Sequence, residues 1–270
     1  MHFILDYYFD FSGTVFADDN FQKILKGFLL TCELSVVAGI LSLSWGLVLA
    51  LMRQLPGRAM APVRWLAIGY IDVFRGIPLL LVLLLVSGVS VFGAPIGGEV
   101  LPHFIATPTW FGQTAPFWYG VFGLTITYGA YMAEVYRAGI EAVPGGQMEA
   151  ARSLGMSHGQ AMRFVIVPQA VTKVIPPLLN DFIALMKDTS LVSVLGAVEV
   201  VQAGRDIQNQ TYNGSGLIMG AILFLIVTIP LARLVDVLIA RERARTQRGG
   251  RGGDETLDDP MLSTGGGVTI

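Results

Sequence analysis

Apolar runs long enough to cross a lipid bilayer dominate this chain of 270 residues. A helix that spans the hydrocarbon core requires about 20 predominantly apolar residues. Five runs approach or exceed that length: Phe28–Met52, a run within Val63–Ile96, Phe117–Tyr136, Pro177–Val201 and Leu217–Ala240. Lipid offers no partner to backbone N–H and C=O groups, so runs of this length predict helices. We therefore predict an all-α, polytopic integral membrane protein with five transmembrane helices.

Composition agrees with membrane embedding and excludes other classes of protein. Charged residues make up only 14% of the chain, whereas soluble domains contain about 25%. The net charge of -2 lacks the basic excess of a nucleic-acid-binding protein. Cys32 is the single cysteine, which excludes an intrachain disulfide and a thiolate metal cluster. The acidic N-terminus also lacks the cationic region of a cleavable signal peptide.

The positions of Lys and Arg predict the orientation, because short cytoplasmic loops carry an excess of both. Basic residues follow the first, third and fifth runs, at Arg53, Arg58 and Arg64, then Arg137, Arg152, Arg163 and Lys173, then Arg241, Arg243, Arg245, Arg248 and Arg251. Ser87–Pro116 has none, and the loop after the fourth run has only Arg205. Lys23 and Lys26 are the exceptions. We expect the N-terminus outside and the C-terminus in the cytoplasm.

The second run is interrupted by Gly76-Ile77-Pro78. Proline removes a helical donor and clashes with the preceding turn. We therefore interpret Val63–Arg75 as a helix at the inner interface, with the crossing beginning near Gly76. Asp72 and Arg75, three residues apart, are then placed to pair near the headgroups.

Three regions follow from these patterns. Residues 1–23 are predicted to form an external amphipathic segment, and residues 24–245 the transmembrane domain. Residues 246–270 are rich in Gly and acidic residues, which predicts a disordered cytoplasmic tail.

A polar, helix-forming loop of about residues 143–168 separates the third and fourth runs. Pro144 suits a first helical turn, and Gly155 suits a helix end. Ser157 and Gln160 form a capping box for a second helix, which Val167-Pro168 is expected to end. The pattern predicts a rigid helix–Gly–helix hook, and from spacing alone an ordinary interfacial hairpin is an equal alternative.

Several sequence motifs occur in and around this loop. The loop itself contains Glu149-Ala150-Ala151, Gly155 and Ile166-Val167-Pro168. The others are Ala142–Gln147, Phe74-Arg75-Gly76-Ile77-Pro78-Leu79-Leu80, Tyr131–Ile140 and Lys187-Asp188-Thr189-Ser190-Leu191-Val192-Ser193. Together they extend from Phe74 to Ser193. In content and order they resemble the motifs of the ABC permeases for polar amino acids, in which the loop motif is called the EAA loop.

The resemblance implies the fold of the type I ABC importer transmembrane domain, in the cell inner or plasma membrane. It implies a permease subunit that translocates a polar amino acid delivered by an external substrate-binding protein. It also implies a second copy or a homologous permease, and two cytoplasmic ATPase subunits that bind ATP and Mg. The loop residues expected to couple to the ATPase are Gly146, Gln147, Glu149, Ala150, Ala151, Gly155 and Pro168.

Gly145-Gly146-Gln147 is similar to part of the signature loop of ABC ATPases themselves. No phosphate-binding loop of the form Gly-x-x-x-x-Gly-Lys-Ser/Thr exists in the chain, so we reject that interpretation. We predict that this chain is not an enzyme and binds no cofactor of its own.

The fourth run carries a polar stripe that includes Asn180, Asp181, Lys187 and Asp188. Asp181 and Asp188, seven residues apart, share one helical face. A charged side chain at mid-membrane costs roughly 2.5–3.5 kcal/mol on insertion scales, and such groups usually face a cavity or a partner. The stripe is therefore expected either to line the translocation path or to hold helices together through ion pairs.

Further residues complete the path candidates: Thr189, Ser190 and Glu134. Glu134 also lies three residues from Arg137, which favours a structural pair. On the third run, Thr125, Thr127, Tyr128 and Tyr131 are placed to line a polar path, and threonine bonding back to its own helix is the commoner explanation.

Other functions remain open at this level. A secondary transporter driven by an ion gradient would use Asp181, Lys187 and Asp188 as a relay, but such folds usually have internal repeats, which we do not find. A membrane enzyme would need a nucleophile–base or metal motif, and a structural anchor would not need the polar stripe. The transported amino acid and the identity of the second permease do not follow from the sequence.

Overall fold

A computed structural model describes residues 7–17, 19–92 and 112–254, and within these ranges every regular element is helical. The helices are α1 (Asn20–Arg53), α2 (Ala61–Gly76), α3 (Leu79–Phe92), α4 (Ala115–Glu141), α5 (Gly145–Ser153), α6 (His158–Ala161), α7 (Val167–Asp188), α8 (Val200–Thr211) and α9 (Ser215–Asp254). Two π-helical turns, Phe11–Val15 and Met162–Ile166, and the 3-10 helix Thr189–Leu195 complete the set. The predicted all-α class is confirmed.

The predicted five crossings are not fully confirmed. Three stretches are long and apolar enough to cross a membrane: α1, His158–Leu195 and Ser215–Glu242. The pair of α2 and α3 qualifies together as a fourth, broken span with a bend of 105°. Helix α4 has 27 residues and qualifies by length alone.

The central position of α4 explains its lower apolarity. It packs against α1, α2, α3 and α7, so much of its surface contacts protein rather than lipid. Close approach to α1 depends on glycine: a Cβ on Gly46 would lie 2.9 Å from the Gly129 carbonyl oxygen. Small residues of this kind let membrane helices pack backbone to backbone. Leu34, Leu124 and Leu185 are fully buried and belong to one apolar cluster that joins α1, α4 and α7.

The fourth span differs from the prediction of Pro177–Val201. Helix α7 covers Val167–Asp188 and continues as the 3-10 helix Thr189–Leu195. Gly196, with φ of 90°, ends this stretch in the left-handed region. The sequence stays mostly apolar from Thr189 through Val201, with Glu199 as its one charged residue. This composition hides the break, because apolarity alone does not distinguish a helix from a turn within a buried run.

Val167-Pro168 does not end the second helix of the inner loop, contrary to the prediction. The wide π turn Met162–Ile166 leads directly into α7, and Pro168 stands in the first turn of that helix. The missing N–H of proline costs little at that position.

The break in the second span is confirmed. Helix α2 ends at Gly76 and α3 begins at Leu79, with Ile77 extended between them. At the other end of the chain, α9 is helical as far as Asp254, which includes the first residues of the predicted tail. The rest of the tail, residues 1–6 and most of the outer loop lie outside the described residues.

Helix α8 is tied to α1 through a buried carboxylate. Glu199 precedes α8, is 0% exposed, and accepts hydrogen bonds of 2.9 Å from the N–H groups of Val201 and Gln202. The N–H of Val200 donates to Thr31 Oγ1 of α1 at 3.3 Å. Burial raises the pKa of Glu199 to about 6, although the two backbone hydrogen bonds oppose that shift.

This raised pKa predicts a pH dependence of stability. The folded protein disfavours the ionised carboxyl, so the contribution of Glu199 to stability is fully present below about pH 4.5 and is lost as pH rises through 6. The shift corresponds to about 2 kcal/mol. We expect Glu199→Gln, which does not titrate, to gain about that much relative to the wild type between pH 4.5 and pH 7.5.

Thermal unfolding of the purified protein at the two pH values measures this difference. The exposed Glu33, changed to Gln, serves as the matched control. A wild-type-minus-variant difference that does not change with pH would contradict the assignment.

Candidate functional site

A cavity of about 510 Å³ lies where the broken span meets α4 and α7. Its lining residues come from three places: Arg75, Gly76, Ile77, Pro78 and Leu79 at the break; Thr127, Tyr128 and Tyr131 on α4; and Asp181, Ala184 and Asp188 on α7. The cavity is therefore lined by charged and hydroxyl side chains from three membrane-embedded segments.

The two carboxylates of α7 share the cavity face, as their spacing predicts. Asp188 Oδ2 accepts a hydrogen bond of 2.7 Å from the Tyr128 hydroxyl. Asp181 Oδ2 is buried and has no hydrogen-bond partner among the described residues, and the same holds for Thr127 Oγ1. An unsatisfied buried polar group costs about 1–3 kcal/mol, and more when it is charged. These atoms therefore mark a place where a ligand or water must supply partners.

Arg75 adds a cation to the same cavity. Its guanidinium lies over the Tyr131 ring, 5.6 Å from the ring centroid, and it attracts the Asp181 carboxylate. The predicted pairing with Asp72 is wrong, because no ion pair joins the two within the described ranges. The bend after Gly76 brings the last turn of α2, and with it Arg75, to the cavity. The sequence pattern alone does not predict this position of Arg75.

The remaining α7 candidates lie outside the cavity lining. Asn180 and Lys187 are exposed on the adjacent face. Thr189 is buried and donates to the Met186 carbonyl at 2.6 Å, and the Ser190 carbonyl accepts from Ser193 at 2.7 Å. In the part of the chain that is described, Asp181, Lys187 and Asp188 make no ion pair, so the geometry favours cavity lining over helix pairing for the two carboxylates.

Thr127 and the two tyrosines of α4 line the cavity as well. Thr127 does not bond back to its own helix, since its hydroxyl has no partner among the described residues. The back-bonding alternative is therefore wrong at this position.

An ion-pair cluster lies on the C-terminal half of α4. Arg53 Nη1 of α1 contacts Glu134 Oε2 at 2.7 Å, and Arg137 pairs with both Glu134 and Glu141. The predicted Glu134–Arg137 pair is confirmed. The cluster joins the C-terminal ends of α1 and α4, and Glu134 lies outside the cavity lining.

The inner loop forms the predicted hook. Gly155 ends α5 with φ of 83°, and its N–H donates to the Arg152 carbonyl at 3.0 Å. Ser157 and Gln160 cap α6 reciprocally, with bonds of 2.8 and 3.2 Å. Both local predictions are confirmed.

A small core of its own holds the hook against the base of α7. Val143, Ile166 and Ala170 are buried together, with Met148 and Met162 packed around them. Gln169 Nε2 of α7 also donates to Gln147 Oε1 at 3.3 Å. The hook is therefore packed directly against the first turn of α7.

The outer surface of the hook is open. Gly146, Gln147, Glu149, Ala150 and Pro168 are exposed, whereas Ala151 is buried. Leu154 is 82% exposed and Phe164 63% exposed. Sequence reasoning did not single out this apolar pair as contact residues, because Leu and Phe on short amphipathic helices normally face the core.

One helical stretch of 38 residues, His158–Leu195, connects the hook to the cavity. It includes α6, the π turn, α7 and the 3-10 helix. The second half of the hook and the carboxylates Asp181 and Asp188 are therefore parts of one helical stretch.

Comparison with known proteins identifies the family. Residues 33–244 match the family described as "Binding-protein-dependent transport system inner membrane component". The chain is 37% identical over 224 residues to the "Probable glutamine ABC transporter permease protein GlnM" of Bacillus subtilis, covering 83% of this chain and 94% of the relative.

Two further relatives extend the range of named substrates. The "Arginine transport system permease protein ArtQ" of Bacillus subtilis is 34% identical, over 82% of this chain and 91% of its own length. The "Glutamate/aspartate import permease protein GltK" of Escherichia coli O157:H7 is 32% identical, over 87% and 99%.

Solved structures agree with the fold. A crystal structure of an amino acid ABC transporter with histidines matches with a TM-score of 0.69 and 36% identity, over 82% of this chain and 94% of that chain. The MetNI methionine ABC transporter matches with a TM-score of 0.64 at 19% identity, over 84% and 99%, and supports the fold alone.

The chain belongs to the family of binding-protein-dependent inner membrane permeases. It is thus a membrane-embedded transport subunit with the fold of the type I ABC importer domain, and ATP hydrolysis belongs to a separate subunit. The family membership implies an ATPase and a substrate-binding protein as partners. The resemblance seen in the sequence is confirmed, and it favours the ABC importer over the secondary transporter.

The ion-pair cluster yields a testable coupling energy. Glu134 accepts from arginines on two sides, so Glu134→Gln should destabilise the fold more than Arg53→Gln does. We expect a coupling of about 1 kcal/mol between Arg53 and Glu134 in a double-mutant cycle, measured by unfolding in detergent.

Arg58 and Glu149 are the matched control, since they are exposed residues of two different loops and form no ion pair within the described ranges. They should show no measurable coupling. Equal coupling in the two pairs would exclude a special role for the cluster.

Proposed function

We propose that this chain forms one half of the pathway of an ATP-driven importer for a polar amino acid. The named substrates of the relatives, which are glutamine, arginine and glutamate or aspartate, support that class. The single observation that carries the proposal is the buried, unpartnered Asp181 Oδ2 in a cavity that also contains Arg75.

The charges of the cavity suit the two groups common to all α-amino acids. A guanidinium binds a carboxylate in a planar, two-point geometry, so Arg75 is assigned to the α-carboxylate. Asp181 Oδ2 is assigned to the α-ammonium, which brings three donors to an oxygen that has no other partner. These two contacts recognise the backbone of the substrate and leave the choice of side chain to the rest of the cavity and the external binding protein.

The hook is assigned to the cytoplasmic ATPase. Its exposed Leu154 and Phe164 offer apolar anchors of the kind that dominate protein interfaces. Glu149 and Gln147 add polar contacts at the rim. A displacement of the hook would move α7 as a rod, and with it Asp181 and Asp188 in the cavity.

The assembly is proposed to contain two permease chains, two ATPases and one external binding protein. The N-terminus lies outside and the C-terminus in the cytoplasm, as the Lys and Arg distribution predicts. ATP binding closes the ATPases, draws the two hooks together and opens the cavity outward, where the binding protein delivers the amino acid. Release of the hydrolysis products returns the cavity to its inward-facing state.

Gly155 gives a direct test of coupling. Proline at this position cannot adopt φ of 83° and removes the N–H that bonds to Arg152, so Gly155→Pro should abolish uptake in vesicles loaded with ATP. Glu149→Lys should do the same through the partner contact. Both variants should insert into the membrane at wild-type levels.

Gly159→Ala is the matched control, since no atom lies within 4 Å of its added Cβ. The uptake assay is run with an uncoupler present, which removes any ion gradient. Wild-type uptake that collapses with the uncoupler, or that persists in Gly155→Pro, would refute the coupling assignment.

Asp181 tests the substrate contact. Asp181→Asn removes the charge that is assigned to the α-ammonium, and the loss of a charged hydrogen bond should lower ATP-driven uptake at least tenfold. Basal ATPase activity of the assembly should remain, because the hook is intact.

Asp72, changed to Asn, is the control for charge alone, because it is exposed, lies outside the cavity lining and forms no ion pair within the described ranges. Uptake within twofold of the wild type in Asp181→Asn would remove Asp181 from the pathway. A loss of assembly in that variant, checked by copurification of the ATPase, would instead assign it a structural role.

A further inference from the structure

A second groove, of about 380 Å³, lies between the first half of α7 and the last third of α9. It shares no lining residue with the Asp181 cavity. Its polar wall includes Thr172 and Lys173 on α7 and Arg241 on α9. The function described above makes no use of it.

The rim of this groove is cationic. Lys173 and Arg241 supply two positive charges, and Glu242 supplies one negative charge. Within the described ranges neither Lys173 nor Arg241 forms an ion pair. The Thr172 hydroxyl is already bonded to the Gln169 carbonyl at 2.7 Å, so the ammonium and the guanidinium are the donors available to a ligand.

The other wall is apolar and continues onto an open surface. Ile175 and Leu238 line the groove. Val171, Leu234 and Val237 are all exposed on the same two helices. On helices that cross a bilayer, such side chains contact acyl chains, whereas Lys and Arg near the helix ends lie at the level of the headgroups.

We propose that this groove binds an anionic phospholipid of the inner leaflet. The phosphate lies between Lys173 and Arg241, and an acyl chain follows Ile175 and Leu238. The two cations and the neighbouring apolar residues match the headgroup and the acyl chains of such a lipid. Basic pockets between membrane helices on the cytoplasmic side are suited to anionic headgroups. The assignment to the inner leaflet rests on the orientation given in the proposed function.

Lipid bound in this groove would stabilise the packing of α7, the helix that leads to the hook, against α9. Lys173 lies between the hook and Asp181 on α7, and the groove joins that segment to α9.

Lipid binding to the purified full assembly tests the proposal. After delipidation in detergent, phosphatidylglycerol or phosphatidylcholine is added and bound lipid is counted by native mass spectrometry. We expect the wild type to prefer phosphatidylglycerol about tenfold, and the double variant Lys173→Gln, Arg241→Gln to lose that preference. The charge-conserving Lys173→Arg should retain it, and so should Arg58→Gln, an exposed cation of another inner loop.

Four outcomes would overturn the proposal. The first is equal binding of the two lipids, and the second is an equal loss of preference in Arg58→Gln. The third is full competition by glycerol phosphate, which would indicate a site for a soluble anion. The fourth is a disulfide between two copies through Leu238→Cys, which would show that a second permease covers the groove. The binding assay requires neither ATP nor amino acid, so its failure would leave the transport function standing.

Discussion

The scarcity of hydrogen-bond partners in lipid is the constraint on which the rest of this structure depends. Backbone that leaves the helix within a membrane is tolerated only where it is buried in protein or lines a cavity. Both interruptions of the spans follow this rule. Gly76-Ile77-Pro78 lines the Asp181 cavity, and the 3-10 helix Thr189–Leu195 packs against α3 and α4. One irregular segment therefore lines a cavity, and the other is packed against neighbouring helices.

The same constraint separates two kinds of charge. Glu134 is fully paired, with Arg53 on one side and Arg137 on the other, and it fastens helices together. Asp181 has a buried oxygen without a partner among the described residues. A charge that is costly to bury and that remains unpaired is the more informative of the two, because burial without compensation is unfavourable unless a ligand supplies the missing contact.

Much of the fold followed from residue patterns that act locally. Apolar runs placed most of the membrane helices, Gly76-Ile77-Pro78 placed the break, and Gly155 and Ser157 with Gln160 placed the turn and cap of the hook. Each of these features depends on a few neighbouring residues, so it can be predicted without knowing which distant residues are in contact. The predicted end of the fourth span was wrong because residues 189–201 are mostly apolar although the helix ends at Gly196. The lower apolarity of α4 reflects its contacts with neighbouring helices, which only the packed bundle supplies.

The sequence by itself determined a helical membrane protein, its family, and the helix–Gly–helix hook, because these depend on period, length and local turn chemistry. Only the tertiary structure decided which charges meet. In the folded bundle, Arg75 lies near Asp181 and does not pair with Asp72. Glu134 pairs with two arginines, and Lys187 lies outside the cavity. The physical reason is that the direction of a side chain across a bundle depends on the bend of one helix and the rotation of another. A 105° bend at Gly76–Leu79 sets Arg75 opposite a carboxylate more than a hundred residues away, a distance over which local pattern carries no information.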